Sequence, residues 1–518
     1  MSPTILRSPS LMALSVSGAS LLAIWGVVKW MKRLYGLPPY PPGPPIKNII
    51  TGNLADVPSQ TIWLKCTEWK ETYGNLVHLR LFGQHIIVVN SFEDAIELFE
   101  KRSSIYSDRP HVEMIHLMGW DFNSALKHYG DDWRQHRRLF QQLFKREASI
   151  EYQPIQTKKV NDMLYGLLTT PEDFIAHSKT VTAAIIVSTM YGHDITPKND
   201  YFVTLAENAL AKLREAVFPG ALAVNAFPVL KHLPTWFPGA GFKRFALGVQ
   251  DLTNQMLAVP IEALEKRLAD GTAQPCVSSS LLENRKSKEE YEIIKAVAAT
   301  AYAGGSDTTV SVIETFFLAM TMFPEAQRKA QDEIDRVVGN SRMPTYDDRE
   351  SLPFIEALCR ELLRWRPVTP LGVWHASSEE DIYNGYYIPK GATFFPNVWA
   401  MAHDPQKYNR PEDFNPDRFF GSDGKLNDDE VPYAFGFGRR LCPGRYMASA
   451  TIWLSVVTVL ALFNIQRTKD ADGNEICPEG KYCDELAIHP LPFECVITPR
   501  SESTRRIIMD ARGNDSQG

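Results

Sequence analysis

Phe435-Gly436-Phe437-Gly438-Arg439-Arg440-Leu441-Cys442-Pro443-Gly444 sets one cysteine among three glycines and two arginines, just ahead of an apolar run that starts near Arg445. As F-x-x-G-x-R-x-C-x-G, its five fixed positions would arise by chance in about one in ten thousand chains of this length. Cysteine acts as nucleophile or metal ligand through its thiolate, which needs hydrogen-bond donors around it. A loop carrying Gly438 and Gly444 and entering a helix after Pro443 can aim backbone N–H groups at the Cys442 sulfur, with the helix dipole adding to them. The plain alternative is a glycine-rich turn around an incidental buried thiol.

The rest of the chain narrows the choice. Its 518 residues, 44% hydrophobic and 22% charged, describe an ordinary globular protein with a large core. A net charge of −6 supplies no broad basic field for nucleic acid. The seven cysteines (Cys66, Cys276, Cys359, Cys442, Cys477, Cys483 and Cys495) are odd in number and contain no C-x-x-C pair, so they do not read as a disulfide framework. Cys477, Cys483, His489 and Cys495 recur every six residues, a spacing wider than the tight pairs typical of structural zinc sites.

Residues 1–30 read as a membrane anchor: Leu11 to Val28 is mostly apolar, and Lys29, Lys32 and Arg33 follow at once. The positive charge downstream puts the rest of the chain on the cytosolic side. Residues 31–45 are a basic, proline-rich hinge ending in Pro38-Pro39-Tyr40-Pro41-Pro42-Gly43-Pro44-Pro45, a stiff extended spacer. Residues 46–500 form one body and 501–518 a polar tail.

Within the body, Leu76 to Asn90 predicts a hairpin turning at Phe82-Gly83-Gln84. Apolar residues three and four apart predict helices over Ala95–Lys101, Trp133–Phe144, Thr157–Leu168, Tyr291–Met322, Glu325–Val338 and Pro353–Trp365. Short strands are expected near Tyr386–Ile388 and Phe493–Thr498. The fold class is therefore mainly α with small β-sheets.

Three further segments accompany the cysteine motif. Glu361-Leu362-Leu363-Arg364 puts opposite charges on one helix face, with Phe414-Asn415-Pro416-Asp417-Arg418-Phe419 between it and Cys442. Ala303-Gly304-Gly305-Ser306-Asp307-Thr308-Thr309 lies inside a helical pattern, where adjacent glycines are costly; Ser311-Val312-Ile313-Glu314 could cap a new helix there. Trp133-Arg134-Gln135-His136-Arg137-Arg138 is a basic helical segment, which on its own reads as a solvated face.

Together these motifs resemble the cytochrome P450 family, over essentially the whole chain after the anchor. The resemblance implies the P450 fold behind a single N-terminal transmembrane helix, and haem b with Cys442 as axial ligand to iron. It also implies that Phe435 packs on the sulfur, in the loop of Gly438 and Gly444. Arg440, Trp133, Arg137 and His375 would contact the haem propionates. Glu361, Arg364 and Arg418 would form a buried charge network. The glycines would let the helix bulge for oxygen, with Asp307 and Thr308 managing its protons. The exposed charges Arg134, Arg138, Lys145 and Arg146 would dock NADPH–cytochrome P450 reductase.

The activity implied is insertion of one atom of O2 into a lipophilic small molecule, at the endoplasmic reticulum membrane. Ser107-Asp108-Arg109-Pro110 and Leu233-Pro234-Thr235-Trp236-Phe237-Pro238-Gly239 resemble fungal microsomal members that make secondary metabolites, the group containing relatives of the O-methylsterigmatocystin oxidoreductase. A terpenoid or aromatic product is the first expectation and detoxification the second. A P450-fold isomerase or dehydratase is a third reading, disfavoured by the Asp307–Thr308 pair. Met114–Trp120, Leu205–Val217, Pro370–Val373 and Leu486–Ile488 are expected to line an apolar pocket. The run from Phe218-Pro219-Gly220 to Gly239 is expected to touch the membrane surface.

Overall fold

The structure, a computed structural model, describes Trp25 and residues 36–196, 198–217 and 223–515. The anchor (Trp25 apart) and Phe218-Pro219-Gly220 lie outside the described residues.

A 35-residue helix, Lys288–Met322, runs through the middle of the body. Ser287 caps it by accepting the Glu290 N–H, and Glu289 and Glu290 complement the dipole of its first turn. From Ile294 to Thr321 most of its residues are buried. It packs on Phe174–Tyr191, a helix mostly buried from Val181 on, and on Arg445–Leu462, the helix that follows the cysteine loop. Where a helix is buried around most of its circumference, as over Val181–Tyr191, the amphipathic period fades from the sequence.

The predicted helices at 133–144, 157–168, 325–338 and 353–365 are observed as Asp131–Phe144, Gln153–Thr169, Pro324–Val337 and Pro353–Trp365. The expected helix at Ala95–Lys101 differs. Phe92–Ile96 is α-helical and Glu97–Lys101 a π-turn, which delivers the Phe99 carbonyl to the cysteine loop. The start of a new helix at Ser311 is overturned: the long helix stays α-helical through Gly304-Gly305, without a bulge, and the Ser311 hydroxyl donates to the Ile488 carbonyl at 2.6 Å.

The hairpin Leu76–Leu81/Gln84–Val89 turns at Phe82 and Gly83, both at positive φ. Its second strand pairs in parallel with Thr393–Pro396, which pairs antiparallel with His375–Ala376. Tyr386–Ile388 pairs with Asp381–Tyr383, and Val496–Pro499 with Phe463–Gln466. The proline-rich hinge is docked rather than free: the Pro42 carbonyl accepts the His78 N–H and the Pro39 carbonyl the Tyr387 N–H. The polar C-terminal stretch forms a helix, Glu502–Asp515, which lies on Gln153–Thr169 and buries Ile508.

Arg445–Leu462 is long and apolar enough to cross a membrane, but 78% of that stretch is buried in the body, so it is a core helix. All seven cysteines are free. The six-residue cysteine–histidine series does not assemble. Cys477 is exposed, Cys483 accepts the His489 N–H, and the His489 ring faces two carboxylates.

Candidate active site

The cysteine loop closes on itself: the Cys442 N–H donates to the Phe435 carbonyl at 2.8 Å. Gly438 has φ +51°, and a Cβ there would lie 2.0 Å from the Phe99 carbonyl oxygen, so only glycine fits. Gly444 sits at the N-cap of Arg445–Leu462. Burial pushes the Cys442 thiol up, while N–H groups of Gly444 and Arg445 and the charges of Arg137 and Arg445 pull it back toward the thiolate. Arg137 donates to the carbonyl of Leu441, next to the cysteine, at 2.7 Å.

On one side of this loop lies a buried basic cluster. Arg440 lies 4.4 Å over the Trp133 ring and donates to the carbonyls of Ser107, Ser124 and Lys127. Arg109 donates to the carbonyls of Ala125, Val373 and Trp374. The His375 ring donates from Nδ1 to the Tyr106 carbonyl at 2.8 Å and packs on Phe99. Burial, together with its neighbour Arg109, pushes Arg440 down to about 8; burial pushes Arg109 down to about 9. Among the described residues neither arginine pairs with a carboxylate. The nearest, Asp108, is held by His128 and by the N–H groups of Arg109 and Tyr129. Burial and the two arginines push His375 well below its ordinary value, so two guanidinium charges lie uncompensated in the interior beside a neutral imidazole, which suits an anionic ligand.

On the central helix Thr308 donates its hydroxyl to the Gly304 carbonyl at 2.7 Å. A Cβ on Gly304 would meet nothing within 4 Å, whereas one on Gly305 would press on Ile186 at 3.2 Å. The first glycine therefore leaves space and the second allows close helix packing. Asp307 pairs with Arg214 at 3.3 Å and faces His489 Nε2 at 3.5 Å. Arg214 also binds Glu485, and His489 binds Glu314.

Glu361, Arg364 and Arg418 meet in one buried network. Glu361 takes a two-pronged contact from Arg364 at 2.6 and 2.8 Å, one from Arg418 at 3.1 Å and the Asn415 N–H at 2.7 Å. The remaining arginine donors go to carbonyls of Ala402, Pro411, Asn409 and Asp413.

Sequence reasoning did not bring Arg109, Arg214, Glu314 or His489 to the active site. Arg109 stood only in the Ser107–Pro110 resemblance, and no local pattern links it to Arg440, 331 positions later. His489 stood only in the six-residue cysteine–histidine series and Glu314 only in the possible cap, and the two meet through tertiary packing alone.

The sequence profile of the family described as Cytochrome P450 matches residues 41–495. Cytochrome P450 monooxygenase 208 of Postia placenta is 41% identical over 500 residues, covering 96% of this chain and 97% of that protein. Cytochrome P450 monooxygenase claR of Ampulloclitocybe clavipes is 38% identical, covering 97% and 94%. Cytochrome P450 monooxygenase COX1 of Coprinopsis cinerea is 39% identical, covering 89% and 92%. Matched in this way along nearly all its length, the chain belongs to the cytochrome P450 monooxygenases, which hold haem through a cysteine thiolate.

Proposed function

We propose that this monooxygenase inserts one oxygen atom from O2 into a lipophilic terpenoid or aromatic metabolite of a fungal pathway, with electrons from NADPH delivered by cytochrome P450 reductase. The observation that carries the site reading is the uncompensated basic cluster beside Cys442. Haem presents two propionates at its edge and asks for a thiolate at its iron. Arg109, Arg440 and His375, with Arg137 and Trp133 adjacent, offer cationic and N–H donors for the first, and Cys442 with its surrounding N–H groups offers the second.

Bound there, haem supplies a thiolate-ligated iron able to activate oxygen. The protein's part is positioning and protons. The Gly444 and Arg445 N–H groups steady charge on the Cys442 sulfur. The Thr308 hydroxyl stands beside the space left by Gly304, and Asp307, one residue earlier, connects through Arg214 to the exposed carboxylate of Glu485 and through His489 to the buried one of Glu314. A hydroxyl and an ionised carboxylate so placed suit proton delivery, which an isomerase would not need.

Two outer surfaces support the partners. Arg134, Arg138, Lys145 and Arg146 are exposed and suit an acidic reductase face. Val229, Trp236 and Phe237 are exposed apolar residues before the helix Gly241–Ala269, suited to lying in a membrane surface beside an N-terminal anchor. On this reading the protein is single-pass in the endoplasmic reticulum membrane, its catalytic domain cytosolic.

The test is co-expression with a reductase and supply of lipophilic fungal extracts. Products heavier by one oxygen atom are expected; their absence with every extract counts against oxygen insertion. Cys442→Ala should abolish the 450 nm band of the reduced carbon monoxide complex and Cys483→Ala should keep it. The reverse pattern would overturn the ligand assignment.

A further inference from the structure

Outside the haem site, one ring nitrogen from each of His111, His116 and His128 lies within 4.8 Å of the other two. The three come from different segments: the loop after Pro110, the short helix Glu113–Leu117, and the turn before Asp131–Phe144. Their ring centroids are 4.9, 6.1 and 6.5 Å apart. His116 and His128 help line a surface cleft of about 340 Å3, and His111 and His128 are about half exposed, so an ion can reach them from solvent.

Each ring also carries its own carboxylate. Glu113 Oε2 lies 3.1 Å from His111 Nε2, Asp108 Oδ1 lies 3.0 Å from His128 Nδ1, and Asp121 binds His116 Nδ1. A carboxylate accepting a proton from one imidazole nitrogen fixes the tautomer and leaves the lone pair on the other. Here those are Nδ1 of His111 and Nε2 of His116 and of His128. Chance clusters of surface histidines have no reason to be backed in this way three times over. The carboxylates are themselves held: Glu113 by Lys231 at 3.2 Å, Asp108 by the Tyr129 N–H at 2.8 Å.

We propose that His111, His116 and His128 form a binding site for a divalent transition-metal ion, with Glu113, Asp121 and Asp108 as the outer carboxylates and solvent in the fourth position. Three neutral imidazoles suit zinc, and copper(II) or nickel(II) would compete. Metal–nitrogen bonds of about 2.0 Å bring ligand nitrogens to roughly 3.3 Å from one another. The three rings lie stacked, with interplanar angles of 28°, 12° and 16°, so binding an ion would require them to turn out of the stack to reach that spacing. The ion would join the Pro110 side of the segment to the Lys127–Tyr129 side. Those flanks carry Arg109 and the Lys127 carbonyl that accepts from Arg440, so occupancy clamps the outer wall of the basic cluster.

The experiment uses the full-length, haem-loaded protein, stripped with chelator and titrated with zinc chloride, with bound zinc measured by calorimetry and by elemental analysis after gel filtration. One zinc per chain is expected. His111→Asn and His128→Asn should each weaken binding by at least about tenfold, the double variant should retain none, and the thermal midpoint should rise with zinc in the wild type, less in the single variants and not in the double variant. An unchanged 450 nm band in the variants shows that the fold is intact. The proposal is overturned if the wild type retains no zinc, or if the double variant still retains it; loss of zinc in Cys477→Ser/Cys483→Ser would then locate the ion at the cysteines.

Discussion

His489 Nδ1 stands 2.8 Å from a carboxylate oxygen of Glu314, inside the protein. The same ring turns its other nitrogen to Asp307 at 3.5 Å. One imidazole therefore bridges two acidic residues seven positions apart on the central helix, and ties the loop after Leu486 to that helix. The Ser311 hydroxyl, donating to the Ile488 carbonyl, fastens the same loop one turn away.

The bridge makes stability depend on pH. Burial alone would push His489 down, but hydrogen bonds to Asp307 and Glu314, and their charges, lift it to about 9. Because the folded value lies above the ordinary 6.5, its contribution is complete below pH 6.5 and is lost as pH rises through about 9. The contribution is on the order of 3 kcal/mol. Thermal melts from pH 6 to 10 should show His489→Ala well below wild type at the acid end and converging on it above pH 9. A constant gap across that range would show that the imidazolium does not matter.

Glu361 serves two arginines and one backbone N–H with no solvent access. Glu361→Gln strands Arg364, itself fully buried, and should destabilise the protein by roughly 3–5 kcal/mol. Arg364→Lys should do nearly as badly, since a point charge cannot reproduce the forked contact to both carboxylate oxygens. Urea unfolding followed by fluorescence reads both. A Glu361→Gln midpoint equal to wild type would mean that the network is a passive neighbour of the fold.

What could be read in advance follows the range of the interactions. Helices with one polar face, such as Pro353–Trp365, announced themselves to the residue, because the apolar stripe is local. Phe174–Tyr191 did not, being mostly buried from Val181 on, and Gly241–Ala269 hides behind Pro260 in its interior. The cysteine loop was legible because its fixed residues lie side by side in the sequence, although the close contact that demands glycine at Gly438, the Phe99 carbonyl, comes from far along the chain. Arg109 and His489 were not: each draws its meaning from residues far along the chain. The same holds for the parallel pairing of Gln84–Val89 with Thr393–Pro396, which joins strands some three hundred residues apart. The C-terminal stretch looked polar because only a few residues, among them Thr504 and Ile508, face inward from its helix.

Two glycine-to-alanine changes should behave in opposite ways. Gly438→Ala forces a Cβ to 2.0 Å from the Phe99 carbonyl at a left-handed φ of +51°, and backbone on both sides must move. It should yield protein with little or no 450 nm band. Gly248→Ala lies within the helix Gly241–Ala269, where a Cβ meets nothing within 4 Å, and should stabilise by about 0.5–1 kcal/mol. Equal haem content in the two variants would contradict the packing of the cysteine loop against the π-turn.

The acid beside Thr308 is held ionised. Burial raises Asp307, but the His489 hydrogen bond and the Arg214 charge outweigh it and keep the carboxyl below its ordinary 3.8. At neutral pH it can therefore accept a proton from one side and pass one on through a change of rotamer away from Arg214. Asn in its place keeps the shape and loses that ability. Asp307→Asn should leave the 450 nm band intact, lower product formation about a hundredfold and enlarge the solvent deuterium effect on that rate. Arg214→Ala, which frees one carboxylate oxygen without removing the acid, should change the rate far less. Measuring product formed against NADPH consumed separates slowed chemistry from leakage of electrons to oxygen. Wild-type product yield in Asp307→Asn would remove the carboxylate from the proton path and leave Thr308 with another donor.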